Sequence, residues 1–113
     1  MRFDIQSMHL GLDHGVLDLI RRRFEHGLDQ FTHYILGGRI LLSDVNGPKG
    51  GVDKRCRVLL RLRWAQAIVI EENGAELPRV IGRAADRLAA SVGRAVERAK
   101  HRYTQVYRRR LSC

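Results

Sequence analysis

The sequence predicts an α+β domain of order β-α-β-β-β-α, a four-stranded and mainly antiparallel sheet with two helices packed on one face. Three observations lead there. Residues 2–7 and 55–62 alternate apolar and polar side chains at the two-residue period of a half-buried strand. Two longer stretches repeat apolar residues every three or four positions, as helices with one buried face do. Between two strand-like segments lies NGPKGG, a run with strong turn chemistry. A chain of 113 residues sustains one modest core rather than two, so a single domain over residues 1–107 is expected, followed by a short basic tail at 108–113.

In chain order, Phe3 and Ile5 share one face of the first strand, with Arg2, Asp4 and Gln6 on the other. Asp13 is placed to cap a helix whose apolar residues are Leu17, Ile20, Phe24, Leu28 and Phe31; Gly27 weakens that helix without ending it. Gly37 and Gly38 precede the second strand, RILLSDV, and NGPKGG at 46–51 turns the chain into the third. There Cys56, Val58, Leu60 and Leu62 face one way and Arg55, Arg57 and Arg61 the other. A turn near Trp64 leads to a fourth strand, AQAIVIE, and Pro78 opens a long second helix. Its apolar stripe is Leu77, Ile81, Ala84, Leu88, Val92, Ala95, Ala99, Tyr103 and Val106. At 100° per residue Arg79, Arg83, Arg87, Arg94, Arg98 and Arg102 fall on one neighbouring flank. The end of this helix, YRRRLSC, is expected to fray, since nothing beyond the sheet is there to pack against it.

Charge is segregated along the chain. Residues 1–53 carry 6 basic and 7 acidic side chains, whereas residues 54–113 carry 15 basic and 5 acidic ones, out of a total formal charge of +9. A solubilising face normally mixes both signs, but only Asp86 and Glu97 interrupt the arginines of the last helix body. The imbalance points to a polyanionic partner, with nucleic acid favoured because arginine's planar, permanently charged fork matches phosphate oxygens. An anionic membrane surface is the other polyanion of this kind. No aromatic residue interleaves with the outward arginines of the third strand, so contacts to phosphate are expected to dominate over base stacking. Trp64, beside a turn, reads as a packing anchor ahead of a base-stacking residue, because an indole buries so much area.

Enzyme chemistry finds no support. The five histidines form neither HExxH nor a Cys/His cluster, and NGPKGG lacks the GK[ST] ending and following helix of a nucleotide-binding loop. That run is either a plain hairpin turn or a loop whose glycines and Lys49 approach phosphate. Of the flanking carboxylates Asp44 and Asp53, one is expected to cap the turn and the other to pair with Lys54 or Arg55. Cys56 and Cys113 make no CxxC pair and are expected to be free thiols. No cofactor, metal or small-molecule substrate is implied. No stretch reaches the roughly 20 apolar residues needed to cross a bilayer, and MRFDIQSM lacks a signal peptide's apolar segment, so cytoplasm is the expected compartment.

The segments MRFDIQS, IRRRFEHGLDQF, ILLSDVNGPKGGVDKRCRVLLRL and LPRVIGRAADRLAASVGRAVERAKHR together resemble the short ribosome hibernation-promoting factor family, also called ribosome-associated inhibitors or sigma modulation proteins. LSDVNGPKGGVDKRC is the most specific of these runs, while EENGAELP and the pair Gly27–Leu28 depart from the family's pattern. The resemblance implies binding to rRNA of the small ribosomal subunit, in the channel that otherwise holds mRNA and tRNA, so that idle ribosomes are silenced. It places Arg23 near a basic position of the first helix, and Arg83, Arg87, Arg94 and Arg98 on the basic second helix. It also implies no ribosome pairing through the C-terminal dimerisation domain of long family members. With the charge argument, the RNA-binding candidates are Arg23, Lys49, Lys54, Arg55, Arg57, Arg79, Arg83, Arg87, Arg94, Arg98 and Arg102. Charge and fold alone also fit a structured-RNA or DNA-binding regulator unconnected with ribosomes, or a module for an acidic partner protein.

Overall fold

The computed structural model describes residues 3–44 and 54–111, with side chains through residue 102. The elements are β1 (Phe3–Met8), α1 (His14–Leu28), a 3-10 helix (Asp29–Tyr34), β2 (Ile35–Asp44), β3 (Lys54–Leu62), β4 (Ile68–Gly74) and α2 (Leu77–Leu111). This is the predicted α+β order. The sheet runs β1-β2-β3-β4; β1 lies parallel to β2, and the other two pairings are antiparallel. The parallel pair requires a crossover, which α1 and the 3-10 helix provide.

Asp13 caps α1 as its position predicts, its side chain accepting a 2.8 Å bond from the Val16 amide. The α-helix ends at Leu28, earlier than the apolar repeat suggests. The next residues tighten into the 3-10 helix, which carries half-buried Phe31 to within reach of Gly93 on α2.

β2 begins at Ile35, so the two glycines lie inside the strand and not ahead of it. The register shifts between Ile35 and Gly37, and Gly38 pairs with Phe3. A Cβ on Gly38 would sit 2.6 Å from Phe3 Cε1 and 3.0 Å from a Leu60 methyl, so this glycine admits an aromatic ring across the strand. Phe3 in turn packs against Phe24 of α1, with ring centroids 5.7 Å apart. β4 is also displaced from its expected span of 65–71. Residues 71–74 carry no apolar alternation, yet they pair with Lys54–Arg57 because Arg55 reaches both Glu71 and Asn73 across the strands.

The core joins Ile20, Phe24 and Leu28 of α1 to Ile40, Leu42, Cys56, Val58, Leu60 and Ile70 of the sheet and to α2. α2 buries more than the predicted stripe: Val80, Ala85 and Val96 join Ile81, Ala84, Leu88, Val92 and Ala95. The helix packs on β3 and β4 with one stripe and on α1 with a second. In the second, Gly82, Ala85, Ala89 and Gly93 recur at near-helical spacing and let α1 and the 3-10 helix approach closely. α2 has 35 residues, about 52 Å at 1.5 Å per residue, and among its described side chains the last buried one is Val96. Its backbone stays helical through Leu111, so residues 108–111 extend the helix; Arg and Leu are good helix formers.

Candidate nucleic-acid interface

α2 lies beside β4, an edge strand, with its arginine flank against that edge. Arg83 Nη2 donates to the Asn73 carbonyl at 2.7 Å, and Arg87 Nη1 donates to the Glu71 carbonyl at 3.2 Å. Arg102 Nη2 donates to the carbonyl of Trp64, in the turn beyond the opposite end of the strand, at 3.2 Å. Residues 71 and 73 present carbonyls on the same side by the period of two. The arginines therefore cover an edge that would otherwise offer unpaired backbone groups to another chain.

The flank divides into two electrostatic halves. In the N-terminal half, Arg87 is 2.9 Å and Arg83 3.8 Å from the Glu72 carboxylate, and Arg79 is 3.1 Å from Glu76. Arg23 of α1 joins this half through Asp86 at 3.6 Å; Gly82 makes room, since a Cβ there would lie 2.7 Å from the Arg23 guanidinium. A shallow groove lined by Leu19, Arg23, Pro78, Arg79, Gly82, Arg83 and Asp86 results. In the C-terminal half, Arg94 bonds to the Ser91 hydroxyl at 3.2 Å, and none of Arg94, Arg98 and Arg102 has a carboxylate partner among the described residues. Among the described residues, the arginines at one end of the helix are thus held in ion pairs and those at the other are not, the acidic Glu97 there lying 3.9 Å from Lys100.

The remaining candidates sit elsewhere. Lys54 Nζ is 3.0 Å from Asp44 Oδ2, and both side chains are largely buried, so this lysine is held in the sheet by one of the two carboxylates that flank the turn in sequence. Arg55 pairs with Glu71 at 2.8 Å on the outer sheet face, where exposed Arg57 stands opposite Leu41 and Glu71 in register. Lys49, Asp53, NGPKGG and Cys113 lie outside the described residues. Cys56 is buried without a disulfide, and its thiol is pushed up to about 12, first by burial and then by the Glu72 charge.

Trp64 departs from its reading as a packing anchor. It is 64% exposed, and its backbone φ of 61° places it in the left-handed region. A turn residue aimed outward by its backbone carries no buried-area signal in sequence. Its indole meets His33 and Tyr34 of the 3-10 helix, each at a 5.7 Å centroid distance, an aromatic cluster drawn from two segments about thirty residues apart. Among the described residues, no group of three or more His, Cys, Asp or Glu could hold a metal, and no helix is long and apolar enough to cross a membrane.

No family model matches the chain, and a search of curated proteins finds no match. Among solved structures, the fold is similar to the N-terminal domain of Thermus thermophilus Protein Y, with a TM-score of 0.70 and 23% identity, covering 83% of this chain and 98% of that one. It is also similar to a ribosomal subunit interface protein from Coxiella burnetii, with a TM-score of 0.69 and 11% identity, covering 83% of this chain and 96% of that one. At such identities the likeness establishes the fold, which is consistent with the hibernation-promoting factor resemblance carried by LSDVNGPKGGVDKRC.

Proposed function

We propose that this protein is a cytoplasmic ribosome hibernation factor that binds small-subunit rRNA in the mRNA/tRNA channel, inhibits translation by occupancy and catalyses no reaction. The observation that carries the proposal is the arginine flank of α2, whose outer half holds Arg94, Arg98 and Arg102 without an ion-pair partner among the described residues. The fold that presents it is shared with the Protein Y domain and with the ribosomal subunit interface protein. Placement matters here: Arg94 and Arg102, already bonded to Ser91 and to the Trp64 carbonyl, lose less further freedom when they meet phosphate. Arg23, Arg79, Arg83 and Arg87 flank the contact and can exchange their carboxylates for phosphate oxygens.

Co-sedimentation with purified small subunits across a salt series tests this. Saturable binding is expected, with log affinity falling against log salt by roughly 0.7 to 0.9 per phosphate neutralised. Replacing Arg83, Arg87 and Arg94 together should weaken it. Binding indifferent to salt, or unchanged in that variant, overturns the proposal. An association in lysate that survives nuclease treatment would instead indicate an acidic protein partner.

A further inference from the structure

We propose that Trp64, with Arg98 and Arg102, forms a stacking site for a single unpaired nucleobase of RNA. This deepens the RNA-binding reading above and rests on it for the class of ligand.

A bulky aromatic residue in the left-handed backbone region is strained, and such strain persists only where surrounding contacts impose it. Here those contacts are visible. Arg102 bonds the Trp64 carbonyl, the Tyr34 carbonyl accepts from the neighbouring Arg63 amide at 2.7 Å, and the His33 and Tyr34 rings brace the indole. The strain does not serve burial, because most of the indole faces solvent. It holds the exposed indole in the wall of an open recess of about 530 Å³ lined by Trp64, Ala65, Gln66, Ala67, Ile68, Ala95, Arg98 and Arg102. That volume falls within the roughly 300–1,000 Å³ of small-molecule sites. No carboxylate lines it, and two guanidinium groups do. An exposed aromatic ring beside two guanidinium groups suits a base with its phosphate: the ring stacks, and the arginines take the backbone oxygens. An apolar protein segment would gain nothing from Arg98 and Arg102, and an acidic peptide would leave the indole unused.

Trp64 is the single tryptophan of the chain, so its emission reports on this site alone. Titration of the full chain with six-residue oligoadenylate is compared with an abasic ribose-phosphate oligomer of equal length and charge. The base-bearing oligomer should quench the emission and bind about tenfold more tightly. Trp64→Phe should retain most of that advantage and Trp64→Ala should lose it. Trp64→Gly separates stacking from folding, because glycine accepts the positive φ without strain: its melting temperature should stay within a few degrees while the preference for bases disappears. Equal affinity and equal quenching for the two oligomers, or a Trp64→Ala variant that keeps the preference, overturns the proposal. Co-sedimentation with small subunits keeps the two readings distinguishable. Salt-sensitive subunit binding without quenching by bases would sink the stacking site alone; quenching without subunit binding would sink the ribosomal reading alone.

Discussion

Arg87 Nη1 lies 2.9 Å from Glu72 Oε1, fastening the arginine flank of α2 to the edge strand β4. The same carboxylate reaches Arg83 at 3.8 Å, and it is the more buried partner, with 18% of its side chain exposed against 58% for Arg87. Glu72→Gln should therefore cost only about 0.5–1 kcal/mol in denaturant unfolding, because the arginines are well solvated. The same change should tighten binding to small subunits several-fold at low salt, since two guanidinium groups lose a competing anion. Weaker binding in Glu72→Gln would mean that the carboxylate positions these arginines more than it neutralises them.

The two halves of the flank should not be equivalent. Arg94, Arg98 and Arg102 replaced together by Gln should lower the salt slope of subunit binding by roughly 0.7–0.9 for every phosphate left without its arginine. The same replacement of Arg79, Arg83 and Arg87 should do less, because Glu76 and Glu72 already neutralise them. Parallel salt titrations of the two triple variants measure the difference.

Gly38→Ala would place a methyl against the Phe3 ring and a Leu60 methyl. The expected destabilisation is about 1–3 kcal/mol, read as a lower denaturant midpoint with unchanged slope. Adding Phe3→Leu should recover part of it, because residues 3 and 38 pack directly against each other.

The Cys56 thiol should be inert to thiol reagents in the native protein and react only on unfolding, because it is fully buried and its pKa is pushed up to about 12. The native value exceeds the ordinary 9.0, so the folded state holds this proton more tightly than the unfolded chain does. Its contribution to stability is then complete below pH 9 and declines as pH rises toward 12, by at most about 1.4 kcal/mol per pH unit. Comparing the parent with Cys56→Ala over that range isolates the effect, which should vanish in the variant.

Sequence alone determined the element order, the buried face of β3, the Asp13 cap and the gathering of arginines on one side of α2. Each follows from a local period or a local hydrogen-bonding group, and none depends on which segment lies opposite. What escaped it depended on partners distant in the chain. The glycines before the expected second strand became part of β2 because Phe3, far back in the chain, crosses Gly38. The polar end of β4 gained its pairing from Arg55 and its covered edge from Arg83 and Arg87. Trp64 came out exposed because turn geometry and the His33–Tyr34 segment hold it there. The division of the arginine flank had the same origin: a pattern of like charges is legible along a helix, but which of them meet a carboxylate is decided by the strands and helices packed beside it.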